Sequence, residues 1–186
     1  NATDLQAGAR DGARAETAPI PAYRARLPRV DAVAPYLATL DRTRWYSNHG
    51  ALVRTFESRL AAGFELAPRQ VVSASSGTAA IAGAILGSAG HADSAKPYCL
   101  CPSYTFVGTA SAIEQCGYRL HLTDVDAETW SLDPDRLFRH PLLSETGLVV
   151  VVAPYGRMPS HQRWAAFEQR TGVPVVIDAA SGFESI

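Results

Sequence analysis

Residues 148–178 read LVVVVAPYGRMPSHQRWAAFEQRTGVPVVID, and this stretch decides the fold. It opens on a continuous apolar run, Leu148 to Ala153, and closes on a second, Val173 to Ile177. Neither alternates with polar residues, so both faces of each strand must be covered. Between them, Ser160 to Thr171 has helical character, with Trp164 and Phe167 on one face at i, i+3 and Gly172 where a helix end favours glycine. Strand, helix and strand in this order define a parallel unit.

Working outward, the same unit repeats back to Pro68. Further strands are expected at Val71 to Ala74, Tyr98 to Cys101 and Arg119 to Leu122, giving five with the two above. Helices are expected at Thr78 to Ala89, Thr105 to Cys116 and Pro134 to His140, with Gly90 and Gly117 at helix ends and Asp133-Pro134 as cap and first turn. Earlier helices are expected at Val30 to Leu40 and at Ala51 to Ala62, the latter aligning Leu52, Phe56 and Leu60. The fold class is therefore α/β, a parallel-rich sheet flanked by helices. Residues 1–29, rich in Ala, Arg and Pro without apolar period, read as an arm or tail, and residues 30–186 as the folded part.

Composition sets the outer bounds. A chain of 186 residues, 47% hydrophobic, supports one core. Seventeen basic and eighteen acidic residues are interspersed, so no basic stripe marks a nucleic-acid or anionic membrane partner. The longest apolar runs are too short to span a bilayer. Cys99, Cys101 and Cys116 form no disulfide framework, which points to a reducing, cytoplasmic compartment. Cys99 and Cys101 are expected on opposite strand faces, as buried structural residues with no metal between them.

In an open parallel sheet, ligands collect beyond the carboxyl ends of the strands. Ser75-Ser76-Gly77-Thr78 comes after the first expected strand and opens a helix, where free amides and the dipole suit a phosphate. A plain capped turn is the alternative. The residues lack a dinucleotide glycine fingerprint or a Walker lysine. Pro102-Ser103-Tyr104-Thr105-Phe106 comes after the second strand and offers a ring to stack on a planar heterocycle, or to fill the core. Asp178 ends the last strand, where a carboxylate needs a cation or donors unless it merely caps a helix. Phosphate turn, aromatic and acid, in this order, match the needs of pyridoxal 5'-phosphate.

These residues resemble the DegT/DnrJ/EryC1/StrS aminotransferases from about Ile20 to Phe183. The resemblance is carried by Trp45-Tyr46-Ser47-Asn48-His49-Gly50 with Phe56-Glu57, Ser76-Gly77-Thr78-Ala79-Ala80, Pro102 to Val107, Asp124-Val125-Asp126, Tyr155-Gly156 and Asp178-Ala179-Ala180. It implies the large domain of a fold-type-I enzyme that transfers an amino group from an amino-acid donor to a nucleotide-linked keto-sugar, and a homodimer. By the same resemblance, Ser76, Gly77 and Thr78 would hold the cofactor phosphate, Phe106 would stack on its ring, and Asp178 would pair with the pyridine nitrogen. Ser181 stands where the family commonly has Gln or His. Ala153-Pro154 replaces the usual His before Tyr155-Gly156, and Gly90 to Lys96 replaces an acidic, glycine-led turn.

The family's Schiff-base lysine is expected beyond Ile186, together with the small domain, so no catalytic residue is assigned here. Lys96, the single lysine, precedes a strand and belongs at the opposite sheet edge. A non-catalytic binding or regulatory relative, and a sugar dehydratase, are the alternative functions.

Overall fold

A computed structural model describes residues 26–183. Most of the expected arm, residues 1–25, and the final residues 184–186 lie outside them. Two compact units divide the chain after Tyr46. In the first, α1 (Val30–Thr43) ends on Arg44, whose left-handed backbone (φ 52°) returns its N–H to the Leu40 carbonyl.

The second unit contains α2 (Ala51–Gly63), α3 (Gly77–Ser88), β1 (Tyr98–Pro102), α4 (Val107–Gln115), β2 (Arg119–Thr123), α5 (Pro134–Leu137), β3 (Thr146–Val152), α6 (His161–Thr171) and β4 (Val175–Asp178). Four strands, all parallel, lie in the order β2-β1-β3-β4. The Val-rich runs become β3 and β4, as their lack of alternation requires. Leu148 and Val150 face one apolar cluster, with Ile85 of α3 and Ile113 of α4. Val149 and Val151 face the other, with Leu137 of α5 and Trp164 and Phe167 of α6. The helices divide between the faces because the strand order reverses at β1 while crossovers keep one hand. Asp133 caps α5 ahead of Pro134 as expected, although the helix ends at Leu137.

Two expectations are corrected. Val71 to Ala74 form no strand, since no neighbouring strand offers them a ladder among the described residues. Glu57 of α2 holds the segment instead, its Oε1 accepting from the Ser73 N–H and hydroxyl, each at 2.8 Å. These bonds, the backbone one foremost, keep the Glu57 carboxyl below its ordinary value. Cys99 and Cys101 share one face, in the cluster that also holds Cys116, because residues two apart on a strand point the same way. All three thiols are free and buried.

Candidate active site

The loops leaving β1, β3 and β4 meet around a cavity of about 350 Å³. Tyr104, Thr105 and Phe106 line it from the first loop, Ala153 to Tyr155 from the second, and Asp178, Ala180 and Ser181 from the third. Its position derives from the strand order. β1 pairs with β2 on one side and β3 on the other, so chains leaving β1 and β3 diverge and open a crevice between them.

Asp178 is buried at the last register position of β4, opposite Val152. Its Oδ2 accepts from the Thr109 hydroxyl at 2.7 Å, and that hydroxyl accepts from Thr105 at 2.8 Å. Its Oδ1 accepts from the Ala180 N–H at 3.1 Å. A carboxylate offers about four acceptor positions, so capacity is left for a donor in the cavity. The charge of Asp178 reaches across β3 to β1: burial first, then this carboxylate, push the Cys101 thiol up to about 12. That thiol stays protonated and inert.

Helix α3 begins beside this arrangement. Ser76 caps it, its hydroxyl oxygen accepting from the Ala79 N–H at 3.1 Å, and the first intrahelical bond runs from the Ala80 N–H to the Ser76 carbonyl. The Gly77 and Thr78 amides precede that bond and lie at the positive end of the helix. Space around Gly77 is open, with nothing within 4 Å of where a Cβ would stand. Gly108, buried in the first turn of α4, lets the two helix starts approach. A Cβ there would lie 2.8 Å from the Thr78 hydroxyl and 3.2 Å from the Phe106 ring.

Of the six expected site residues, Phe106, Asp178 and Ser181 line the cavity itself. Thr78 lies beside it across Gly108; Ser76 and Gly77 form the helix start behind Thr78. Phe106 is 76% exposed, so its ring is available rather than spent in the core. Ser181 is also exposed. Sequence reasoning missed Thr105, Gly108 and Thr109. Their signal was the two threonines and the glycine flanking Phe106 at the start of α4, combined with the unmet need of Asp178 for a donor. Lys96 precedes β1 and borders Thr146 and Gly147 at the start of β3, on the opposite edge of the sheet.

A parallel α/β domain with a buried carboxylate and two helix starts at its switch point defines a class of ligand-binding enzyme domain. Within that class, the chain belongs to the DegT/DnrJ/EryC1/StrS aminotransferase family, whose model matches residues 30–186. It is similar to protein Rv3402c of Mycobacterium tuberculosis, 30% identical over 170 residues that cover 89% of this chain and 40% of that protein. Among solved structures, 3-amino-5-hydroxybenzoic acid synthase superposes with a TM-score of 0.71 at 27% identity, covering 88% of this chain and 41% of that one. DesI, solved in the presence of its TDP-sugar product, gives 0.68 at 28% identity, over 82% and 37%. The chain thus spans about 40% of the length of the curated relatives it matches.

Proposed function

We propose that the complete protein is a pyridoxal-phosphate-dependent aminotransferase that moves an amino group from an amino-acid donor to a nucleotide-linked keto-sugar. The observation that carries this reading is Asp178, a buried carboxylate with spare acceptor capacity at the cavity floor, facing the loop that carries Phe106. Bound pyridoxal phosphate supplies an electron sink for the transfer. Asp178 would keep a proton on the pyridine nitrogen, with the Thr109 hydroxyl and the Ala180 amide fixing the carboxylate's orientation. The Gly77 and Thr78 amides and the Ser76 and Thr78 hydroxyls would hold the phosphate. Phe106 would lie against the ring face, and Ser181 beside its edge.

Lys96 stands on the wrong edge of the sheet to bond the cofactor, so it is not assigned as the Schiff-base lysine. The complete enzyme is read as a cytoplasmic homodimer. In support, Ala80, Gly83, Ala84, Leu86 and Gly87 leave the outer side of α3 apolar and exposed. Among the described residues, no helix is long and apolar enough to cross a membrane.

The test is Asp178→Asn in the full-length protein. It should retain part of the bound cofactor while transamination falls by roughly a hundredfold or more. Thr78→Glu should abolish cofactor binding, because like charge would meet the phosphate. Wild-type turnover in the first variant, or unchanged cofactor affinity in the second, would overturn these assignments.

A further inference from the structure

Outside the groups assigned to the cofactor, three rings from three separate loops meet: Tyr104 and Tyr155, which line the cavity, and Trp130, which packs against both. Tyr104 comes after β1, Trp130 lies between β2 and α5, and Tyr155 comes after β3. Ring centroids are 5.9 Å apart for Tyr104 and Trp130, 6.0 Å for Trp130 and Tyr155, and 6.4 Å for Tyr104 and Tyr155. The two tyrosine hydroxyls share a hydrogen bond of 2.7 Å, which holds Tyr104 above its ordinary pKa.

The cluster is costly to build and adds little to the core. Trp130 and Tyr155 both have left-handed backbones, φ 57° and 51°, a conformation that bulky residues rarely adopt. Tyr155 is nevertheless 79% exposed and Trp130 50%. Separate bonds brace each strained turn. The Asp126 carboxylate accepts from the Glu128 and Thr129 amides and the Thr129 hydroxyl, and the Trp130 N–H donates to the Asp126 carbonyl at 2.8 Å. Arg157, just beyond Tyr155, then ties the two loops together by donating to the Glu128 carbonyl at 2.6 Å. Strain of this kind, held in place to present apolar rings to solvent, marks a binding surface.

We infer that Tyr104, Trp130 and Tyr155 form a stacking platform for the base of a nucleotide-bearing substrate. The inference rests on the aminotransferase reading, which puts the reacting carbon near Phe106 and Asp178 and leaves the distal part of the substrate to these rings. Each edge-to-face contact covers one face of one ring, and the exposure of Tyr155 and Trp130 leaves ring surface open on which a base stacks without directional hydrogen bonds. Arg157 faces no carboxylate within salt-bridge distance among the described residues, so its remaining donors stand ready for the substrate's diphosphate.

The test uses the full-length protein, with cofactor content read from its absorbance and with uridine diphosphate, thymidine diphosphate and pyrophosphate as probes in calorimetry. Wild type should bind at least one nucleotide more tightly than pyrophosphate. Trp130→Ala and Tyr155→Ala should each weaken that nucleotide at least fivefold, about the lower bound for losing one stacked base, with pyrophosphate affinity unchanged. Tyr155→Phe keeps the ring and should stay within about twofold of wild type. Alanine variants that fold and bind as wild type does, or a wild type that takes neither nucleotide better than pyrophosphate, would overturn the platform. Loss of cofactor binding with ring-dependent nucleotide binding intact would instead count against the aminotransferase reading alone.

Discussion

Helices α3 and α6 both begin at a serine whose hydroxyl accepts from an amide three residues on, Ser76 from Ala79 and Ser160 from Arg163. Beyond that shared device they diverge. The first turn of α6 carries Arg163, whose guanidinium donates to Asp133 at 2.6 Å and Asp135 at 2.8 Å and fastens α6 to the start of α5. Its inner side buries Trp164 and Phe167, and its outer side is charged. The first turn of α3 carries Gly77, Thr78 and Ala79, with no charged group; the helix is small and apolar on every side and buries Ile85 alone. One helix start is tied by ion pairs into the fold, and the other carries no charged group and adjoins the Phe106 wall of the cavity across Gly108. The residues of the first turn, more than the cap they share, separate a structural helix start from the one proposed to hold the phosphate.

The comparison breaks first in the core. Trp164→Ala removes the largest ring from the α6 face and should lower stability by about 3–5 kcal/mol in urea unfolding. Leu86→Ala on the outer side of α3 should cost within about 0.5 kcal/mol. Equal losses would mean that α3 packs as fully as α6.

Next in size is the contact between the two helix starts at the site. Gly108→Val should cost about 1–3 kcal/mol through overpacking, since a Cβ there already collides with Thr78. It should also lower cofactor affinity in the full-length protein, as absorbance titration would show. A stability loss with unchanged affinity would separate Thr78 from the phosphate.

The paired caps give the sharpest contrast at smaller cost. Ser76→Ala and Ser160→Ala should each lose about 1 kcal/mol in thermal melts. Ser76→Ala alone should also weaken cofactor binding.

The smallest effect is one of pH and lies at the other end of α6. There His140 shares a cavity with Arg170 and Thr171. Burial first, then the neighbouring His121, lower the His140 pKa from 6.5, and its Nδ1 accepts from the Leu142 N–H at 3.3 Å. The folded state thus prefers the neutral ring. Its contribution is complete above the unfolded value and is lost as pH falls from about 6.5 toward the folded value, below which it stays flat. The urea midpoint should drop slightly between pH 7.5 and 5.5, and His140→Gln should flatten that drop.

The β3–α6–β4 unit was legible because two unbroken Val-rich runs admit no other burial. Val71 to Ala74 carried the same β-branched signal and misled, because a strand exists only where a neighbour supplies the other half of its ladder. Asp178 was legible as a carboxylate in need of a partner. Thr109, which supplies one, was not, since 69 residues separate them and only the packing of α4 over the sheet brings them together. The cysteine pair failed on arithmetic of period two and not on chemistry.

The strand order also sets a clock. β1 and β3 have neighbours on both sides, whereas β2 and β4 have one each among the described strands. Fully buried amides such as those of Val149 and Val151 exchange with solvent deuterium only when the whole unit opens, while the outward amides of β2 and β4 exchange through local fraying. Asp178 ends β4, so the carboxylate at the heart of the proposed chemistry is borne by a strand whose local opening can be timed. Whatever occupies the cavity and bonds to Asp178 should slow that opening, which makes the exchange rate of the four β4 residues a gauge of site occupancy.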